Sequence, residues 1–456
     1  MDKFLLAQDE NLSFKVSYQL QPIDKQTIDI YFSLPVEMGI NPGTLNEENY
    51  FLSSIKTHSA YYSEQLHLPL VRSRFISQTK GEQADYRVNL NLFGYQIRIA
   101  LDRDIKLILK EKTAEDFFPQ AVELAEQTII LLKKLRRYSP PDKKLSAYFE
   151  HVDNYLSWFV EQSFLRLLSK GPKSSDFAQE REFISSFCKD ESQYRDQCQY
   201  NSQTTIEDAN RITNKMRLLQ RLTEYGVVFK REVKNLNLNL KRLVRGGVTA
   251  VIMAFVMLLV LNARSTFTEV TVALIALLGV IYGLREIFKE DLTSLIWRKI
   301  QKGRPKWQNN FENNVTKKRM SYQTIWLEYI TKTSLPPLVS ELFKKRRRQN
   351  RQAARLLHFR SESKVIAKSF LPGYEEIQEQ IYFNLTPFVR YLKRGEGRLY
   401  SLDGHKITKQ AVERRYQINM VLVHTDKEKN QYLQRFKITL NRSEIIAIEE
   451  MDIAHH

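Results

Sequence analysis

Residues 344–355 read KKRRRQNRQAAR and hold Lys344, Lys345, Arg346, Arg347, Arg348, Arg351 and Arg355. On a helix, Lys344, Arg347, Arg348, Arg351 and Arg355 would share one face, because residues three and four apart are neighbours there. Such a stripe matches a line of phosphates. Each neutralised phosphate releases a counterion, so binding would weaken steeply with salt. Aromatic residues surround the run in sequence, Trp307 and Trp326 among them. A ring stacked on an unpaired base contributes about 1–3 kcal/mol, the physics of single-strand binding. The expected ligand is a single-stranded oligonucleotide. The same residue types also grip anionic lipid beside a membrane, or stand as a solvated face, and on sequence alone both alternatives stay open.

Catalytic chemistry has no local signature. The chain carries no GxxxxGK[ST], no GxGxxG after a strand, and no HExxH, GxSxG or CxxC. His58, His67, His151, His358, His405 and His424 are scattered, none three or four residues from another. Cys188 and Cys198, in FCKDESQYRDQC, supply neither a disulfide framework nor a set of four metal ligands. The reading is a non-enzyme with no metal and no cofactor.

The charge explains why the basic run dominates. The 456 residues include 70 Lys+Arg and 52 Asp+Glu, a net charge of +18. Residues 296–370 alone hold 19 basic and 4 acidic residues, so most of the excess sits in one region that needs an anionic partner. With 43% hydrophobic residues the chain can build two or three domains with real cores. A mean hydropathy of −0.42 excludes a many-helix transporter.

Two apolar runs interrupt this soluble composition, Gly246–Leu261 and Val270–Leu284, separated by a polar stretch. Their lengths approach the roughly 17–25 residues that span a bilayer, and together they predict a two-helix transmembrane hairpin; a buried hairpin in a soluble core is the alternative. Lys230, Arg231, Lys234, Lys241, Arg242 and Arg245 precede it, and Arg285, Lys289, Arg298 and Lys299 follow it. The positive-inside rule then places both ends in the cytoplasm. Met1–Phe14 lacks the apolar core of a secretory signal, which agrees. Two helices cannot enclose a pore, so conduction would require a homo-oligomer. Its lining candidates are Thr249 and Met253, with Asn262 and Thr271 near the loop. Gly279 and Gly283 form a small-xxx-small face for close helix packing. A simple lipid anchor is the rival.

The remaining pattern is α+β. Alternation at Ser13–Leu20 and Thr27–Leu34, and again in YRVNLNLFGYQIRIAL and DIKLILK, predicts strands. Phe117, Ala121, Leu124, Ala125, Thr128, Leu131, Leu132 and Leu135 fit one helical face, and a second helix follows over Leu145–Ser169. Thr204-x-x-Glu207 resembles a capping box, and apolar residues from Ile206 to Leu240 recur every three or four positions, predicting a stalk helix aimed at the membrane. Arg415–Thr425, Gln431–Leu440 and SEIIAIEEM predict a terminal meander. The expected division is 1–203, an N-terminal α+β domain; 204–243, the stalk; 244–285, the hairpin; 286–371, a basic helical region; and 372–456, a β-rich C-terminal domain. Strands near both termini leave open a shared layer.

In this organisation, with its Gly246–Leu284 hairpin, cytosolic flanks and basic 296–370 region, the chain resembles the two-transmembrane effectors of bacterial anti-phage defence, of the Hailong type. The resemblance implies a two-pass protein of the bacterial inner membrane, assembled as a tetramer. It implies that the cytosolic part binds a single-stranded oligodeoxyadenylate made by a partner nucleotidyltransferase. Loss of that ligand would open an ion channel and arrest the cell, an abortive infection. The alternative is a non-conducting scaffold anchored on anionic lipid.

Overall fold

Strands form where alternate residues are apolar and a partner sheet waits to cover them. The computed structural model describes residues 4–62, 83–111, 113–137, 140, 142–173, 176–266, 272–344, 354–368, 370, 374–390, 392, 396–403 and 406–451. It is 50% helix and 31% strand, the mixed α+β class. The chain begins with β1 (Phe4–Gln8), β2 (Ser13–Leu20), β3 (Lys25–Pro35), α1 (Glu47–Ser54) and β4 (Ile55–Tyr62). A helical unit follows, of α2 (Gln83–Ile108), α3 (Ala114–Arg137), α4 (Lys143–Lys170), α5 (Ala178–Gln197) and α6 (Ala209–Thr223). Next come β5 (Lys230–Asn235), α7 (Leu238–Thr266), α8 (Val272–Gln301), β6 (Trp307–Glu312), β7 (Arg319–Ile330), α9 (Pro337–Lys344) and β8 (Ala354–Val365). The chain closes with β9 (Glu376–Asn384), β10 (Glu396–Asp403), β11 (Lys406–Glu413), β12 (Tyr416–Thr425), β13 (Gln431–Leu440) and β14 (Ile445–Met451).

Eight strands form one antiparallel sheet, in the order β14-β13-β12-β3-β8-β7-β6-β5. Four more form a second, β1-β2-β9-β4. The two sheets pack face to face around Phe14, Phe32, Phe359 and Phe383. Phe383 stacks on Phe14 at 5.1 Å and meets Phe359 edge-on at 5.0 Å. Burying each such side chain stabilises the fold by about 1.5–3 kcal/mol. Strands from before and after the apolar helices thus belong to the same sandwich, so the expected separate N- and C-terminal domains share one core.

Three expected elements differ. The predicted strands between Tyr86 and Lys110 are the helix α2. Its Leu92 and Tyr95 enter the sandwich core while Leu90, Phe93, Ile97, Leu101 and Ile105 enter the helical core. Burial on two faces makes a helix read like an alternating strand. The predicted stalk over 204–243 is also not one helix. It is a turn at Gln203–Ile206, then α6, β5 and the start of α7. Asp208, rather than Thr204, caps α6, accepting from the backbone of Asn210 and Arg211. Gly226 breaks the path at φ +90, and Val227 and Phe229 turn into the sandwich, where Phe229 N–H donates to Ser59 O at 2.9 Å. The basic region over 286–371, expected to be helical, has α-helix among its described residues at α8 and α9 alone, and supplies β6, β7 and β8 to the large sheet. The helix expected from Phe117 to Leu135 and the terminal meander stand as read.

Within Leu238–Asn262 an 18-residue stretch has a mean hydropathy of 2.3, and 11% of that stretch is buried inside the protein. Among the described residues it is the one stretch long and apolar enough to cross a membrane. Its side chains lie mostly outside the sandwich and helical cores. α8 packs along α7, with an apolar half from Val272 to Leu284 and a charged half from Arg285.

A polar chain crosses the sandwich core. Tyr18 and Ser363 both donate to Glu379 Oε2, at 2.6 and 2.7 Å. Gln323 lies beyond Tyr18, and its Oε1 accepts from Asn309 at 2.7 Å and from Thr57 at 3.0 Å. Arg231 on β5 in turn donates to Asn309 Oδ1 at 3.0 Å. Burial pushes the Glu379 carboxyl up to about 7, and its Oε1 has no hydrogen-bond partner among the described residues.

Candidate ligand site and apolar helix junction

The cationic stripe is not assembled on one helix. α9 ends at Lys344, and Arg355 lies on β8 opposite Leu34 of β3. Lys345, Arg346, Arg347, Arg348 and Arg351 lie outside the described residues. Arg355 therefore cannot share a helical face with Lys344; burial of Leu357 and Phe359 in the sandwich holds its segment extended. Trp307 is likewise not a base platform. It is 3% exposed and stacks on Phe51 at 4.2 Å. Trp326 is half-buried, donating from Nε1 to Gly303 O at 3.2 Å, with the Arg360 guanidinium 5.4 Å from its ring.

The apolar helices present their candidates differently. Thr249 donates its hydroxyl back to Arg245 O at 2.8 Å, satisfying it within the helix. Met253 and Asn262 are exposed. A Cβ at Gly279 or Gly283 would meet nothing within 4 Å, so that edge is open to another helix. Thr271 lies outside the described residues.

The helices join the sandwich in a single way. β5 leads into α7, α8 leads back into β6, and β5 and β6 are paired neighbours with Asn235 opposite Trp307. At their foot, Lys306 pairs with Glu47 of α1 and donates to Leu327 O at 2.7 Å. Glu47 Oε1 accepts from the Tyr329 backbone at 3.0 Å. Both helices thus spring from one rigid sheet edge.

A second polar feature lies on the outer face of the four-stranded sheet. Strand alternation that sends Ile377, Ile381 and Phe383 inward sends Gln378, Gln380 and Tyr382 outward, with His58 of β4 opposite Gln380. α2 contributes Tyr95 and Arg98, and α6 contributes Arg217, Gln220, Arg221 and the following Glu224. They line a cavity of about 370 Å³. α6 lies there because Met216 and Leu219 bury on the helical unit, which turns Arg217 and Arg221 to its flank.

Within the cavity, Arg98 pairs with Glu224 at 2.6 Å, and Gln220 donates to the same carboxylate at 2.8 Å. Arg217 and Arg221 make no ion pair among the described residues. Tyr382 donates to Gln380 Oε1 at 2.8 Å, Gln380 donates to Gln378 Oε1 at 3.1 Å, and His58 meets Tyr382 edge-on at 5.2 Å. Burial lowers the His58 imidazole below its ordinary value; Glu224 opposes this, and Arg231 and Lys56 add to it, so the ring is neutral at pH 7. Burial pushes Tyr382 up to about 12. Three guanidiniums thus face one carboxylate that is already engaged, an arrangement that attracts anions.

Sequence reading missed this cavity because its parts come from β4, α2, α6 and β9. One signal was present: Arg217 and Arg221 stand four apart with no carboxylate between them on that flank. Like charges at that spacing cost an isolated helix about 0.2–0.5 kcal/mol. Fold and sites together define a β-sandwich with a helical unit and an apolar helix pair inserted at one sheet edge. No family model, curated protein or solved structure matches the chain.

Proposed function

We propose that this chain is an oligomeric, non-enzymatic membrane effector, a ligand-gated ion channel of anti-phage defence. α7 and α8 cross the bacterial inner membrane as a two-pass hairpin with both termini cytoplasmic. The observation that carries this reading is the insertion of the two helices between the paired strands β5 and β6. A shift of that sheet edge reaches both helices through short connections, Leu236–Asn237 into α7 and Lys302–Lys306 out of α8. The exposed apolar surface of α7 and the open Gly279 and Gly283 edge support packing against further copies, a tetramer on this reading. The ligand is a single-stranded oligonucleotide, oligodeoxyadenylate in the first instance, from a partner nucleotidyltransferase. The Lys344–Arg355 segment holds it, supported by the concentration of basic charge over residues 296–370.

The test reconstitutes the full chain in liposomes and follows ion flux with single-stranded homopolymers present and absent. The expected result is flux that switches with one homopolymer and loses that response when Arg346, Arg347 and Arg348 are replaced by Ala. Absence of flux under every condition, with binding to anionic vesicles alone, would leave a non-conducting lipid-anchored scaffold.

A further inference from the structure

The described lining of the cavity between α6 and the outer face of the four-stranded sheet takes no residue from the basic segment, and it is selective. Arg217 and Arg221, one helical turn apart and without an ion pair among the described residues, present two planar forks of donors toward a common space. Such forks suit phosphate oxygens, which accept two parallel hydrogen bonds. The Glu224 carboxylate does not cancel them, because Arg98 and Gln220 already hold it. Opposite lie the ring of Tyr382, with a neutral His58 at its edge, and the amides of Gln378 and Gln380. That wall offers a flat face and hydrogen-bonding edges in place of further charge. A volume of about 370 Å³ lies at the small end of ligand pockets, commonly about 300–1,000 Å³, and suits a ligand of mononucleotide size.

We propose that this cavity binds a small phosphate ester of a flat polar ring, a mononucleotide in size. Its phosphate sits between Arg217 and Arg221, and its ring lies against Tyr382 within reach of Gln378. The site is placed to act on the apolar helices. α6 runs through Tyr225–Phe229 into β5 and α7, and that link is bonded to β4 on the cavity floor through Phe229 N–H to Ser59 O and Tyr61 N–H to Val227 O, at 2.9 and 3.3 Å.

The experiment measures calorimetric binding of AMP, ATP and inorganic pyrophosphate to the detergent-solubilised full chain, with phosphatidylserine vesicles as the lipid arm. AMP or ATP is expected to bind more tightly than pyrophosphate. Arg217→Glu with Arg221→Glu should weaken every phosphate probe by about tenfold or more, as befits two lost charge-assisted contacts and an added repulsion. Both side chains are exposed, so the double variant is expected to fold, and its melting temperature checks this. Tyr382→Leu supplies a second, independent arm: it should weaken the nucleotides and leave pyrophosphate unchanged. No phosphate binding at millimolar concentration would overturn the proposal, as would affinities unchanged by the double variant. Vesicles that displace AMP, or that bind only with the arginines intact, would assign the site to a lipid headgroup and overturn the nucleotide. Oligonucleotide-switched flux that persists in the double variant leaves the channel reading intact whatever the binding result.

Discussion

Glu379→Gln isolates the effect of one buried carboxyl on stability. The folded chain raises this group from 4.5 to about 7 by removing it from water. Between those values the folded protein holds a proton that the unfolded chain has released, so the proton stabilises the fold at low pH. That contribution is full below about pH 4.5, falls as pH rises toward 7, and is level above it. At about 1.4 kcal/mol per pKa unit the loss is about 3 kcal/mol. Gln keeps an acceptor for Tyr18 and Ser363 but does not titrate. Its amide nitrogen, in place of the unpartnered Oε1, costs about 1–3 kcal/mol at every pH. The measurement is urea unfolding of wild type and variant, followed by tryptophan fluorescence at pH 5, 6, 7 and 8. The stability of the variant relative to wild type should rise by about 2.5 kcal/mol from pH 5 to 8. Parallel curves for the two proteins would refute the reasoning and show Glu379 ionised throughout, or solvated by opening of the sandwich.

Arg136→Ala should destabilise the helical unit by about 3 kcal/mol, because it takes the cation from two buried carboxylates that keep only hydroxyl donors, Tyr194 and Tyr200 on Asp153 and Ser157 on Glu191. Its guanidinium donates to Asp153 at 3.2 Å and to both Glu191 oxygens at 3.0 and 2.7 Å; the loss should appear as early melting of the far-ultraviolet helical signal. Gly226→Ala should cost about 1–2 kcal/mol, since φ there is +90 and the added methyl would lie 3.0 Å from Val315; a thermal melt shows it. Phe383→Ala removes the ring that Phe14 and Phe359 enclose and should lower sandwich stability by about 3–5 kcal/mol, read as a shifted urea midpoint at unchanged slope.

Elements with one buried face were legible from spacing. The helix from Phe117 to Leu135 buries a single stripe, so its period near 3.6 survives in the residue order. The meander was legible instead from its β-rich runs and the polar turn between them, although β12 buries both faces, Met420 and Leu422 in the sandwich and Val421 and Val423 against α9. α2 was misread because it buries two faces, and the α6–β5–α7 path was misread because Met216, Phe229 and Val233 keep helical spacing across a glycine break. The basic segment drew attention because charge is visible residue by residue. The cavity did not, because Arg98, Arg217, His58 and Tyr382 are far apart in the chain and meet only when α6 docks beside the sheet.

Sequence by itself therefore determined what depends on local order: the mixed class, the apolar run at Gly246–Leu261, the surplus of cations, and the elements with a single apolar stripe. Tertiary structure decided what depends on partners distant in sequence. It joined strands from both sides of the apolar helices into one sandwich and took Trp307 into the core. It also broke an expected stalk into α6, β5 and the start of α7, and set three arginines around one engaged carboxylate. The physical reason is that a hydrophobic period records only how many faces are covered. Which segment covers them, and which polar side chains are thereby brought together, follows from packing free energy summed over the whole chain.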